Sequence, residues 1–467
     1  MDRRVLIGIP AVIIAVALVS VVVINADSLL GGGEENIVII DFDYQKAGNH
    51  VKELVKWGPR MTGSQAELKG AEYIAAQYQD AGLTDVHIEE FQVPMFDIKK
   101  AEVSLVEYYP MKNVPRPMGR TIEFEHIIDF VLQGYSGSLH WNNFRDDLDV
   151  VNIGNGTDPD SYRITSGRVC FVEQTGDTPA NKDLYFHAYQ AGAKGIILQN
   201  TWRGESIGYL PMFKTNQNPV EYDDYPDIPF FMVSKDMGDE ILEQTSMNFK
   251  LRIDFDVKIG DFPCRVVVGD LKGSSEEMMM FTAHHDTCYN TIGAIDNTVG
   301  PASLIEVARG MAQHGNFKRT VRFCTFGGEE EGLYGSKAYQ EAHASELNGK
   351  LKMVMNFDMA HTDKEAMTVG MVTDCNNTKG KLEDIRGKLL DEEPSLEAYK
   401  ININYGTFEI PYSDYWPFTQ AGANGIAAWG SGCEEYHTYL DNLDHLNPES
   451  LQIEGRILGS YALMAST

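Results

Sequence analysis

The hydrophobic pattern changes character three times along the chain. Residues 5–24 are apolar apart from Ser20 and carry no charge. At about 1.5 Å per residue such a run reaches about 30 Å, the thickness of a hydrocarbon core. Arg3 and Arg4 precede it, and Asp27, Glu34 and Glu35 follow. This bias predicts a transmembrane helix with a cytoplasmic N-terminus and the remaining chain outside. The run is longer than the apolar part of a signal peptide, about 7–15 residues. Secretion after cleavage near Ala26 is the alternative. Residues 29–36, with three glycines, read as a flexible linker.

Residues 49–82 then read as mostly helical. Val51, Leu54 and Val55 have helical spacing, 67–78 again gathers apolar positions on one side, and Gly58–Pro59 breaks the run between them. Gly82 is the expected stop, and 87–93 reads as a strand. From 113 to 259 short β-rich runs dominate, at 168–172, 195–198 and 228–233, with one helix at 183–193. This stretch reads as a smaller β-rich module. After Val266 strand and helix alternate: strands at 278–283, 321–326 and 352–357, and an amphipathic helix at 298–313 with Leu304, Ile305, Ala308 and Met311 on one face. Buried strands separated by helices predict an α/β fold, a mixed and mainly parallel sheet sandwiched by helices. The helical segment before the module is expected to pack on that sheet. The division expected is 1–26 anchor, 27–47 linker, 48–112 main domain, 113–259 insertion and 260–467 main domain again.

Composition excludes some functions. Apolar residues are 43% of the chain, enough for sizeable cores; 39 Lys and Arg against 68 Asp and Glu leave a net charge of −29. That charge argues against nucleic acid as the main partner and against broad docking on anionic lipid. The six cysteines are scattered, and the expectation is buried thiols, with one bridge as the alternative outside the cytoplasm.

Candidate chemistry lies at the ends of the predicted strands. His284 and Asp286 follow the first, Glu329 and Glu330 the second, Asp358 the third, with Asp296 in a loop between them and His437 further on. Ligands of open α/β sheets collect at the carboxyl ends of strands, so these side chains are candidates for one metal site. Each alone has a plainer reading: a turn residue, a solvated acidic run, a histidine bonded within the core.

The pieces TAHHDT, GAIDNTVG, FGGEEEGLYGS, VMNFDM and EEYHTYLDNLDHLNPESL, in this order, resemble the co-catalytic two-zinc exopeptidases that include secreted bacterial leucyl aminopeptidases and glutamate carboxypeptidase. The resemblance covers about 49–95 and 266–463. It implies a zinc exopeptidase fold, two Zn2+ per chain (Co2+ or Mn2+ in their place) and peptide substrates. It further implies that Asp296 bridges the metals, that His284 and Asp358 complete one site, and that Glu330 and His437 complete the other. Asp286 would orient His284, Glu329 would be the general base, and Tyr436 would donate to the oxyanion. Asp414, in SDYWPF, would lie behind the site or close to substrate, with a merely structural role as the alternative. His285 and Glu331 would be variable positions, His361 a bystander and His445 a surface residue. The peptide Asp296–Asn297 is expected to be cis. Residues 166–200 and 227–234 resemble a protease-associated domain, which would either shape the substrate cleft or serve as a spacer.

The expected reaction is hydrolysis of a terminal peptide bond, with aminopeptidase first and carboxypeptidase or dipeptidase as the alternative on the same site. A carboxypeptidase needs a basic group for the substrate carboxylate, and Arg322, Arg386 and Arg456 are available in sequence. Glutaminyl cyclases also resemble this family, but carry Trp where this chain has Tyr436. A receptor-like relative would lack metal ligands that are all present here.

Overall fold

Two long strands organise the molecule, described here by a computed structural model over residues 37–108, 117–215 and 226–467. The apolar run at 5–24 lies outside these residues; among the described ones no helix is long and apolar enough to cross a membrane. After helices α1 (Tyr44–Leu54) and α2 (Gln65–Asp80) comes β1 (Thr84–Tyr108), with β2 (Pro117–Phe124) antiparallel to its distal end. Strands β3 (Phe130–Leu132), β4 (Val150–Asn152), β5 (Val169–Glu173), β6 (Gly195–Gln199) and β7 (Phe230–Val233) follow, with α3 (Asn181–Gln190) between β5 and β6 and α4 (Lys235–Met247) after β7. The chain then returns along β8 (Phe249–Leu271), antiparallel to β1 over nearly its whole length. The boundary expected at 259/260 therefore falls inside a continuous strand.

The remaining elements are β9 (Met278–His284), α5 (Val299–Ala312), β10 (Thr320–Phe326), α6 (Tyr334–Ala342), α7 (Ala344–Leu347), β11 (Leu351–Phe357), β12 (Thr368–Thr373), α8 (Asn376–Glu392), β13 (Lys400–Tyr405), α9 (Trp416–Gln420), β14 (Asn424–Gly430) and α10 (Pro448–Ser466). The large sheet has nine strands in the order β13-β12-β14-β11-β9-β10-β8-β1-β2. It is mixed, but not mainly parallel as expected. Four of its pairings are parallel (β9 with β10, β9 with β11, β11 with β14, β12 with β13) and four are antiparallel. The β1/β8 ribbon, whose edges pair antiparallel on both sides, accounts for most of the difference. The parallel block β14-β11-β9-β10 is the part that matters for chemistry, because all four strands end at one edge.

Alternation along these strands serves two covered faces. Met279, Phe281, Val321, Phe323, Met355 and Phe357 point to one side, where Ile74 and Tyr78 of α2, Leu304 of α5, Leu382 of α8 and Ile457 of α10 bury them. Met280, Cys324, Phe326 and Val354 point to the other, under Tyr339 of α6, Leu347 of α7 and Phe418 of α9. Each fully buried large apolar side chain contributes about 1.5–3 kcal/mol. The first helical segment thus packs on the sheet as expected.

The insertion is not simply β-rich. Its five strands, ordered β3-β7-β6-β5-β4, are parallel except for β3 with β7. This is a small α/β layer, because β5 and β6 are joined by a helical crossover rather than a hairpin. One face packs Phe171, Ile197 and Phe231 against Leu105, Leu251 and Phe255 of the distal ribbon. The other packs Val172, Ile196 and Phe230 under Leu184 and Ala188 of α3. All six cysteines are free, four of them buried.

Arg322 does not reach a substrate. It sits opposite Asp270 in the β8/β10 register and bonds it through two nitrogens at 2.8 and 3.0 Å, with Glu346 at 2.9 Å. Burial raises the Asp270 carboxyl, but the Arg322 and Lys272 partners outweigh it and hold it below the usual range. A lowered folded value contributes stability above the unfolded value, about 3.9, and loses it as pH falls through the folded one. Asp270→Asn should therefore cost about 3 kcal/mol at pH 7, since breaking one partner of a buried pair costs about 3–5 and Arg322 keeps Glu346. The difference from wild type in urea unfolding should narrow below about pH 4.

Candidate metal centre

Four parallel strands deliver the candidate ligands to one edge of the sheet. His284 is the last residue of β9, Glu329 and Glu330 lie just past β10, and Asp358 follows β11. His437 comes from the loop after β14, with a left-handed backbone (φ 60°). Asp296 lies in the turn before α5, and its peptide bond to Asn297 is cis, as expected.

The distances gather these side chains into two clusters that share one carboxylate. His284 Nε2 is 3.3 Å from Asp296 Oδ1 and 3.4 Å from Asp358 Oδ1. His437 Nε2 is 3.1 Å from Asp296 Oδ2 and 3.0 Å from Glu330 Oε2. Each oxygen of Asp296 thus faces a different histidine. Both imidazoles turn Nδ1 towards an acceptor. His284 Nδ1 lies 3.3 Å from the Asp286 carbonyl oxygen and 3.4 Å from its carboxylate, and His437 Nδ1 donates to the Phe213 carbonyl at 2.8 Å. This is how metal-binding histidines are oriented. Asp286 is itself held by Thr62 Oγ1 at 3.2 Å and the Gly328 amide at 3.0 Å.

The residues present fit a pair of divalent cations. His284 Nε2 and Glu330 Oε1 are buried with no hydrogen-bond partner. Burial lowers His284, yet the negative charges of Glu329 and Asp358 outweigh it and lift the imidazole well above its ordinary range. Burial, with Asp358 and Glu330 nearby, drives the Glu329 carboxyl well up. So much negative charge in so little water calls for positive charge between the groups. The donor set, imidazole and carboxylate, suits zinc.

The other sequence candidates fall into place around this centre. Tyr436 and Glu329 line a cavity of about 500 Å³ together with Met359, Phe408, Tyr412 and Trp429. Asp414 is fully buried and does not line that cavity, although its neighbours Ser413 and Tyr415 do; burial pushes its carboxyl up to about 7. Glu331 is buried rather than solvated. His361 accepts from the Asn447 amide at 2.8 Å and is no ligand. His445 is half-exposed beside Glu435. Arg386 bonds the Ile401 carbonyl and Arg456 bonds Glu393, so neither lines the cavity.

Three supports were not legible in sequence. Asp441 accepts from the amides of Ile295 and Asp296 at 2.8 and 2.9 Å and aims the shared carboxylate. Arg60 is fully buried and donates to the carbonyls of His285 and Ile292, tying down the loop between His284 and Asp296. Lys214, from the insertion, donates to the Tyr436 hydroxyl at 3.1 Å and lies over its ring. The only signal for Asp441 was its place in a quoted motif; Lys214 sits in an irregular loop.

Residues 266–462 match the sequence model of peptidase family M28. They form an M28 peptidase domain. The chain is 28% identical to the aminopeptidase YwaD of Bacillus subtilis over 86% of its own length and 80% of that protein's. It is 25% identical to the probable lipoprotein aminopeptidase LpqL of Mycobacterium tuberculosis over 85% and 79%. Among solved structures it resembles a zinc aminopeptidase from Bacillus subtilis in fold, with a TM-score of 0.69, 20% identity, and 92% and 96% of the two chains covered. The five candidate ligands all lie inside the M28 domain, whereas Phe213 and Lys214 lie outside it and still reach the centre.

Donation from Lys214 to its oxygen fixes the orientation of the Tyr436 hydroxyl. Lys214→Met should lower kcat roughly tenfold, about 1.4 kcal/mol, with KM and metal content little changed. Steady-state kinetics with a metal assay checks this; an unchanged kcat would detach Lys214 from the reaction.

Proposed function

We propose that this chain is a two-zinc aminopeptidase, acting outside the cytoplasm and tethered by the apolar run at 5–24. One observation supports the two-metal reading above the rest: the two oxygens of Asp296 face His284 and His437 separately. His284 and Asp358 would hold one ion, Glu330 and His437 the other, with Asp296 common to both. Bound zinc supplies Lewis acidity, making a water acidic and polarising the scissile carbonyl.

The chain's own residues do the rest. Glu329 lines the cavity without belonging to either ligand cluster. It would take the proton from the attacking water on a carboxylate oxygen and return it to the leaving amine. Tyr436, held by Lys214, would donate one hydrogen bond to the charge developing on the carbonyl oxygen; one such donor contributes about 2.7–4 kcal/mol. The mostly apolar cavity would exclude water and seat the terminal side chain.

The choice of terminus rests on charge. The residues lining the cavity include four acids and no Lys or Arg. Three of those acids would be committed to the two ions and Glu329 to the water, so what separates the termini is that a substrate carboxylate has no cationic partner among the lining residues. The insertion, read as a protease-associated domain, would act on the cleft through Phe213 and Lys214, which bond His437 and Tyr436. The flanking charges, Arg3 and Arg4 before the apolar run and acids after it, support the export of the M28 domain.

The test is a zinc-loaded soluble form beginning near Asp27, incubated with peptides whose ends are free, N-blocked or C-blocked. Mass spectrometry should show ladders shortened from the N-terminus and none from N-blocked peptides. C-terminal ladders would move the assignment to carboxypeptidase. Glu329→Gln should keep its metal and lose about 10²–10⁴ in kcat; substantial remaining turnover would remove Glu329 as base. Asp296→Ala should lose metal at both positions by elemental analysis, and retention of two ions per chain would exclude it as the bridge.

A further inference from the structure

We propose that Cys288 is a thiolate ligand of the metal held by Glu330 and His437, an inference that rests on the two-metal reading above. Cys288 lies four residues after His284 and is fully buried. Its sulfur, a carboxylate oxygen of Glu330 and a ring nitrogen of His437 all lie within 4.8 Å of one another. Glu330 Oε1 is buried there without a hydrogen-bond partner, an oxygen that an ion between the three groups would satisfy. Among the described residues no other cysteine joins a group able to hold a metal. Its apolar neighbours are Phe96, Val131, Tyr135 and Phe213, and Lys214 lies close enough to interact with it electrostatically. A thiol in such a cluster is ordinarily a small hydrophobe; here one side of it opens onto two ligands.

The consequence is a division of labour between the two positions. Asp296, Glu330, His437 and Cys288 make four donors, the number that closes a tetrahedral zinc site. His284, Asp296 and Asp358 make three, the number that leaves a place for water and substrate. Coordination releases the thiol proton to solvent, and a sulfur donor favours zinc over harder ions such as manganese. The ion beside Cys288 is therefore the retained one, and the ion beside His284 is the exchangeable one.

X-ray absorption at the zinc edge tests this on the intact zinc-loaded protein, with the metal counted on the same sample. The expected result is two zincs per chain and a sulfur scattering path near 2.3 Å, about half a sulfur per zinc, beside nitrogen and oxygen at about 2.0–2.2 Å. Cys288→Ser should lose the sulfur path. Cobalt-loaded wild-type protein should show a thiolate charge-transfer band in the near ultraviolet, a reading that does not depend on the variant folding. Two zincs with only nitrogen and oxygen neighbours would overturn the proposal and leave the two-metal reading standing. Fewer than two metals per chain in excess zinc would overturn the two-metal reading, and with no sulfur path would overturn this proposal as well.

Discussion

The Asp296 carboxylate is the constraint on which the rest of the site depends. Its two oxygens face two histidines that arrive from opposite ends of the M28 domain, His284 and His437. A carboxylate can do this only if its backbone is fixed. Asp441 supplies that by accepting from the amides of Ile295 and Asp296, while Arg60 clamps the loop that leads in. The histidines are fixed by the same logic, each with Nδ1 spent on an acceptor and Nε2 left for the centre. Precision at the ligands is thus stored in hydrogen bonds one layer behind them.

The parallel block makes this economical. β14, β11, β9 and β10 run in one direction and end together, so four loops reach one point without long excursions. Their side chains are buried on both faces, which keeps the strand ends in register. Antiparallel neighbours would have alternated the ends and scattered the same residues over two edges. The β1/β8 ribbon, which is antiparallel, contributes no candidate ligand and instead carries the insertion.

The insertion participates in the centre rather than standing aside. The Phe213 carbonyl accepts a hydrogen bond from His437 Nδ1, the Phe213 amide donates to the His437 carbonyl, and Lys214 holds Tyr436. A ligand histidine and the candidate oxyanion donor are therefore positioned by a segment outside the M28 domain. Movement of that segment would be felt directly at both.

The sequence by itself determined part of the M28 domain, the strands β9, β10 and β11 and the helix α5, and named its candidate ligands. Continuous apolar runs ending in His284, Glu329–Glu330 and Asp358 are readable because burial on two faces and a polar strand end leave a local mark. The same locality explains what escaped it. The running direction of β8 and β1, the parallel pairing inside the insertion, and the burial of Glu331 and Asp414 depend on partners far away in the chain. Lys214 meets Tyr436 across 222 residues, Asp441 meets Asp296 across 145, and Arg60 meets His285 across 225. No local pattern encodes such meetings. Only tertiary structure decided which carboxylate stands between the two histidines, which cysteine lies beside them, and what holds each one there, because those are properties of packing and not of spacing.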